Sequence, residues 1–216
     1  RHGDWTDLSG NHFFPSAWTK YVNLGDAFRI MDGHRGRVIH HTEVTIMIGV
    51  DWALNKKRRR SPGEVPEWVT DERNSSDFNA FIVAALTEDG LLFILDVVNE
   101  RVKMEDKAPL LAELCRKYVP WIVGVDDDML AEALVLDCRR QKGIPELRIL
   151  PIGNKDKLLR ATAAIIRGEQ NKQIYLPTPI AGNDYAWTED FCDQLASFTG
   201  QQDEHDDMVD ALGILG

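Results

Sequence analysis

Three cysteines in 216 residues are too few and too scattered to form a disulfide framework. Cys115, Cys138 and Cys192 form no C-x-x-C pair, and each falls among apolar residues in a predicted helix. They read as buried, reduced thiols, as expected of a cytosolic compartment. No run of about 18 apolar residues occurs, so no membrane-spanning helix is predicted. The start, Arg1-His2-Gly3-Asp4, lacks the apolar region of a signal peptide and also lacks an initiator Met. The chain therefore reads as a piece of a longer protein, cut at a domain boundary. Positive charge is in deficit: the formal net charge is −10 and the sequence pI near 5.1. That balance argues against a general nucleic-acid coat, which is normally basic. Internal repeats and low-complexity tracts are absent too.

What is present is enough apolar material for one well-buried core, 44% of the residues, and an uneven distribution of charge. One basic run stands out, Lys56-Lys57-Arg58-Arg59-Arg60. Acid gathers in Asp126-Asp127-Asp128 and in Asp203-Glu204-His205-Asp206-Asp207. Clustered carboxylates repel one another and call for a reason, such as a bound cation.

Residues 1–42 show no helix or strand period and read as a linker or arm, with residues 43–216 as the folded domain. From Val44 a continuous β-rich apolar run ends at Asp51, the pattern of a strand buried on both faces. Residues 55–76 read as a long polar loop. Phe78 to Leu86 and Leu91 to Val98 are strands joined at Glu88-Asp89-Gly90, a hairpin signal. A helix capped at Asp106 runs to about Tyr118. Trp121 to Val125 is a strand that stops at three aspartates. Met129 to Lys142 is a helix closed by Gly143. Leu147 to Ile152 is a fifth strand, and Asp156 to Arg167 a helix. Ile174 to Leu176 is a short extended piece. Trp187 to Phe198 and Asp206 to Leu215 are helices. This order predicts an α/β fold with a mixed five-stranded sheet, three antiparallel strands and then two parallel ones, flanked by helices.

Three acidic positions share a logic in that fold. Asp51 ends the first strand of the sheet and Asp126 the fourth. Ligand sites in open α/β sheets lie beyond the carboxyl ends of strands, so the two meet if those strands are neighbours. Asp207 and Asp210 share a helix face, and Asp206 and Asp210 roughly align. Hydrolysis of a phosphodiester needs an activated hydroxide and a stabilised leaving oxyanion. Two Mg²⁺ ions about 3.5–4 Å apart supply both, and Mg²⁺ prefers carboxylate and water oxygens. In this reading Asp51, Asp126 and Asp207 are catalytic, with Asp51 bridging the ions. Asp206 and Asp210 complete the metal set. Taken singly, each acid has an ordinary explanation. Asp51 fits a turn, Asp127 or Asp128 a helix cap, and Asp206 a cap beside the helix dipole at Asp207. The three together favour a site.

Several segments resemble the RNase H-like nucleases, and more narrowly the nuclease domain of phage large terminases. Gly49-Val50-Asp51-Trp52-Ala53 resembles their first catalytic motif, and Val123-Gly124-Val125-Asp126 the second. The stretch from Asp77 through Glu88-Asp89-Gly90 to Leu95-Asp96-Val97 resembles their hairpin. Lys157-Leu158-Leu159-Arg160-Ala161 resembles their Lys-x-x-Arg-Ala helix. Gln194 to Phe198 ahead of His205-Asp206-Asp207-Met208-Val209-Asp210-Ala211-Leu212 resembles the closing motif, which is also similar to the Asp-x-x-Asp-Ala-Leu pattern of RuvC-like resolvases. Phe13-Phe14-Pro15 and Trp18 resemble the stretch that links the ATPase domain to the nuclease. The second acid is commonly Glu in this family and is Asp126 here, which leaves the ligand open among Asp126, Asp127 and Asp128. The choice among Asp206, Asp207 and Asp210 is open too.

The resemblance implies a metal-dependent DNA endonuclease using two Mg²⁺ or Mn²⁺ ions. It would cut concatemeric viral DNA during genome packaging in the host cytoplasm. It also implies partners: double-stranded DNA, an ATPase domain of the same polypeptide, a small terminase subunit and a portal protein. No G-x-x-x-x-G-K-[ST] loop occurs in this chain, so the ATPase domain is expected elsewhere. With no base-reading motif, little sequence preference is expected. Lys56, Lys57, Arg58, Arg59 and Arg60, just after Asp51, suit DNA phosphates as well as a solvated loop. Lys155 and Lys157 could approach the site from the helix after the fifth strand, although a surface helix start explains them as well, and Lys157 and Arg160, on one helix face, are assigned a DNA-backbone contact. His205 reads as a local hydrogen-bonding partner, and Trp52 as packing beneath the site. Two other functions fit parts of the pattern. A resolvase or transposase would share the metals but prefer branched DNA. A non-catalytic acidic module binding metal or protein would tolerate loss of Asp51.

Overall fold

The computed structural model describes residues 12–32, 36–52, 78–126, 131–150, 157–180, 184–201, 203 and 206–216. Three short strands come first, β1 (Lys20–Asn23), β2 (Ala27–Ile30) and β3 (Val38–His40). Then follow β4 (Val44–Asp51), β5 (Asn79–Thr87), β6 (Leu92–Glu100), α1 (Met104–Tyr118), β7 (Ile122–Asp126) and α2 (Ala131–Arg140). The chain closes with β8 (Leu147–Leu150), α3 (Lys157–Ile165), β9 (Ile174–Pro177), α4 (Trp187–Ser197) and α5 (Asp207–Ile214).

Among the described residues these strands form one nine-stranded sheet in the order β3-β2-β1-β9-β6-β5-β4-β7-β8. Its five-stranded part is the one expected. β4, β5 and β6 are an antiparallel meander, β7 runs parallel to β4, and β8 runs parallel to β7. β5 shows why the meander is central. Ala80, Ile82 and Ala84 enter one core cluster while Phe81 and Val83 enter the other. A strand covered on both faces must be apolar at every position.

Helices cover both faces. α1 and α2 pack with Ile48, Val50, Val123 and Val125 on one side. α3, α4 and α5 pack on the other through Ala161, Ala164, Phe191, Leu195, Val209 and Leu212. The β5–β6 turn closes as the sequence indicates. Gly90 takes φ +88°, and its N–H donates to the Thr87 carbonyl at 3.1 Å. That left-handed geometry favours glycine.

The structure departs from the sequence reading at the N-terminal side. Residues 12–32 and 36–42 are not an irregular arm. β1 pairs in parallel with β9, and β2 and β3 extend the sheet beyond it. These strands are only three or four residues long and carry one to three buried residues each, too few to show a period. Tyr21, Phe28, Ile30 and Ile39 close a third core cluster against Phe93 and Tyr175. Phe13 and Trp18 are buried beside Phe198 and Ile174. Helix starts differ by small amounts. α1 begins at Met104 rather than after Asp106, and Asp206 precedes α5 without a side-chain capping bond.

Candidate active site

β4 and β7 both end in Gly-Val-Asp, and the two copies lie side by side. Gly49 pairs with Gly124 and Val50 with Val125, which places Asp51 and Asp126 at adjoining strand ends. Side chains alternate across a sheet. Val50 and Val125 therefore face the α1/α2 core, while the glycines and aspartates face α5. The glycines make room for that helix. A Cβ at Gly49 would lie 2.4 Å from the Ala211 carbonyl oxygen, and one at Gly124 would lie 2.5 Å from Ile214 Cγ2. With α5 seated so close, its first turn brings Asp207 and Asp210 to the edge where Asp51 and Asp126 end.

The electrostatics are those of crowded acid. Asp51 is held well above the ordinary carboxylate range, first by burial and then by the charges of Asp210 and Asp207. Asp210, only 9% exposed, is pushed up to about 7 by burial, partly offset by Arg160. Its Oδ1 is buried with no hydrogen-bond partner among the described residues. Unpartnered buried carboxylate oxygen is costly.

α3 supplies the nearest counter-charge. Arg160 Nη2 lies 2.8 Å from Asp210 Oδ2, and Nη1 lies 3.5 Å from Asp126 Oδ2. One turn earlier, Lys157 Nζ sits 2.5 Å from Asp206 Oδ2. Lys157 thus approaches the acids, one of the places the sequence offered for it, and Arg160, assigned to the DNA backbone from the sequence, turns toward them as well. Lys107 on α1 went unnoticed in the sequence. It is 4% exposed, and its burial lowers its pKa while the charge of Asp51 opposes that shift. A signal was there: Lys107 stands four residues before Leu111 on the inward stripe of an amphipathic helix.

Asp51, Asp126, Asp206, Asp207 and Asp210 therefore come from two strand ends and one helix start that share an edge. Trp52 packs beneath, 5% exposed and edge-on to Phe81 at 5.4 Å. Asp127, Asp128, Lys155, His205 and the run Lys56 to Arg60 lie outside the described residues. Hard oxygen donors in excess, with one buried oxygen unpartnered, are the donor chemistry that suits a divalent cation. Among the described residues, no three acidic, His or Cys side chains close into a ready-made metal cage. Arg160 instead spans two of the acids.

Comparison with known proteins agrees with this layout. The terminase RNaseH-like domain family matches residues 48–215 by sequence profile. The large terminase nuclease from thermophilic phage G20c, solved with bound zinc, superposes with a TM-score of 0.54 at 16% identity. The match covers 91% of this chain and 90% of that one. The same phage nuclease with bound magnesium gives a TM-score of 0.53 at 16% identity, covering 91% and 89%. Its cobalt-bound form gives the same values. No curated protein matches the chain in sequence.

Proposed function

The chain belongs to the terminase RNase H-like domain family, and from that premise we propose that it is a metal-dependent DNA endonuclease that cuts concatemeric viral DNA during genome packaging. The observation that carries this reading is the meeting of Asp51, Asp126 and the Asp207–Asp210 turn at one sheet edge. The zinc, magnesium and cobalt bound by the related phage nuclease support a divalent cation here. Bound Mg²⁺ or Mn²⁺, two ions in this reading, would supply Lewis-acid charge stabilisation and a nucleophilic water at neutral pH.

The chain's own residues have separable tasks. Asp51 would be the carboxylate shared by both ions. Asp126 would hold one from the β7 side and Asp207 the other from α5. Asp206 and Asp210 would orient the remaining ligands. α5 is fixed to the sheet by Val209, Ala211 and Leu212, all fully buried, so its acids keep their register with the strand ends. Rigid placement of this kind is what lets charge stabilisation act without reorganisation.

With a net charge of −10, the domain alone is expected to hold DNA weakly. An ATPase domain of the same polypeptide, a small terminase subunit and a portal protein would bring DNA to it in the host cytoplasm.

Supercoiled plasmid incubated with the chain in Mg²⁺, Mn²⁺, Ca²⁺ or EDTA tests the reading. Nicking and linearisation are expected in Mg²⁺ or Mn²⁺, with none in EDTA. Asp51→Asn should lose at least about 10²-fold of the rate, as when one element of a preorganised site is removed. Undiminished cutting by Asp51→Asn would refute the assignment. Strong preference for a four-way junction over linear DNA would move the chain to the resolvases.

A further inference from the structure

Arg160 is placed where a metal ligand set would want no cation. Its side chain is 16% exposed, and its guanidinium reaches acids on two different elements, Asp126 on β7 and Asp210 on α5. The contact is not the parallel two-bond fork that makes arginine–carboxylate pairs strong. Each acid receives one nitrogen, and one of those contacts is 3.5 Å. Arg160 Nε is buried with no hydrogen-bond partner among the described residues, and so is Asp210 Oδ1. The pair has paid desolvation without complete pairing, which makes it a weak source of stability.

Charge balance points the same way. Five carboxyl groups, Asp51, Asp126, Asp206, Asp207 and Asp210, gather with three basic side chains, Lys107, Lys157 and Arg160, so carboxyl groups outnumber cations at this edge. A dication entering between Asp126 and Asp210 would meet the like charge of Arg160, which already draws on the same two carboxylates and holds Asp210 Oδ2 at 2.8 Å.

We propose that Arg160 is a resident counter-cation that bridges Asp126 and Asp210 in the metal-free chain and competes with the divalent ion for them, setting how much metal is needed to arm the site. This rests on the metal-site reading above and adds a threshold to it. Arg160 is a positioning residue in this scheme. It keeps β7, α3 and α5 in register until the ion replaces it. Lys157, on Asp206 one turn away, is a lesser brake.

Mn²⁺ binding by calorimetry tests this without recourse to cutting. Arg160→Gln should bind Mn²⁺ at least tenfold more tightly than wild type, and Lys157→Gln by a smaller factor. Arg160→Lys keeps the charge and should stay within about threefold of wild type. Equal or weaker binding by Arg160→Gln would overturn the proposal, since a purely supporting role predicts lost affinity. Should Arg160→Gln fail to fold, the wild-type chain still decides the matter. Its Arg160 Nε–H resonance, assigned by its absence from Arg160→Lys, should shift or broaden as Mg²⁺ saturates the site. A resonance unmoved at saturation would overturn the proposal. A wild-type chain that binds neither ion would instead sink the metal-site reading on which this rests.

Discussion

Asp210 sits where a carboxylate is poorly placed to be charged, and that has a consequence for the pH dependence of stability. Burial raises its pKa to about 7, and Asp51 is raised as well. In the unfolded chain both titrate near the ordinary aspartate value. Between these limits the folded state holds more protons, so stability falls as pH rises. Asp203, whose pKa is lowered by its bonds from Thr199 and Gly200 despite its burial, has already given its stabilisation by pH 5.5. The metal-free chain should therefore melt about 3–8 °C lower at pH 8 than at pH 5.5, given about 2–4 °C per kcal/mol for a chain of this size. Saturating Mg²⁺ should recover much of the loss at pH 8 by binding the folded state. A melting temperature that is flat or rising over this range would show that the acids are not so perturbed. At this scale the acids were legible in the sequence because strand ends and helix spacing announce them. The partners of Arg160 and the burial of Lys107 were not. Which cation meets which acid depends on helix faces that only packing decides.

The elements carry the site through two glycines. Gly49 and Gly124 are cross-strand partners under α5, and a methyl at either meets backbone or side-chain atoms closer than 3 Å. Gly49→Ala would press on the Ala211 carbonyl, which cannot swing aside. Gly124→Val would press on Ile214. Each should cost about 1–3 kcal/mol, the range for overpacking, read as a lower denaturant midpoint. Gly49→Ala should also slow cleavage by tilting Asp207 and Asp210 away from Asp51. Unchanged stability and rate in Gly49→Ala would mean that α5 is not seated as described. The repeated Gly-Val-Asp of β4 and β7 is written plainly in the sequence, and with parallel neighbours it gives both the helix seat and the acid pair. The order of the five central strands was legible for a similar reason, since their apolar runs are long and their turns are marked. The short β1, β2 and β3 were not, because three or four residues are too few to show a period, and the partner that joins them to the main sheet, β9, is distant in the chain.

For the whole molecule, the sheet does not end where the motifs do. A boundary near residue 42 would cut across it. A chain beginning at Val44 would lose Tyr21, Phe28, Ile30 and Ile39, exposing Phe93 and Tyr175 and leaving β9 as a bare edge. It would also lose the bond from the Tyr21 hydroxyl to the Ile94 carbonyl at 2.7 Å. Such a chain should aggregate, or melt at least about 10 °C lower, on light scattering and thermal unfolding. A monodisperse truncated chain of unchanged melting temperature would show that the extension is dispensable. The pairing of Lys20 with Leu176 carries a last consequence, in time rather than in space. During synthesis β1 leaves the ribosome long before its partner β9 exists. At about 5–20 residues per second, it waits on the order of ten seconds with Tyr21 and Phe28 uncovered. Strands made early in this domain are thus among the last to be housed, and the interval is a window for a chaperone or for misassociation between nascent chains.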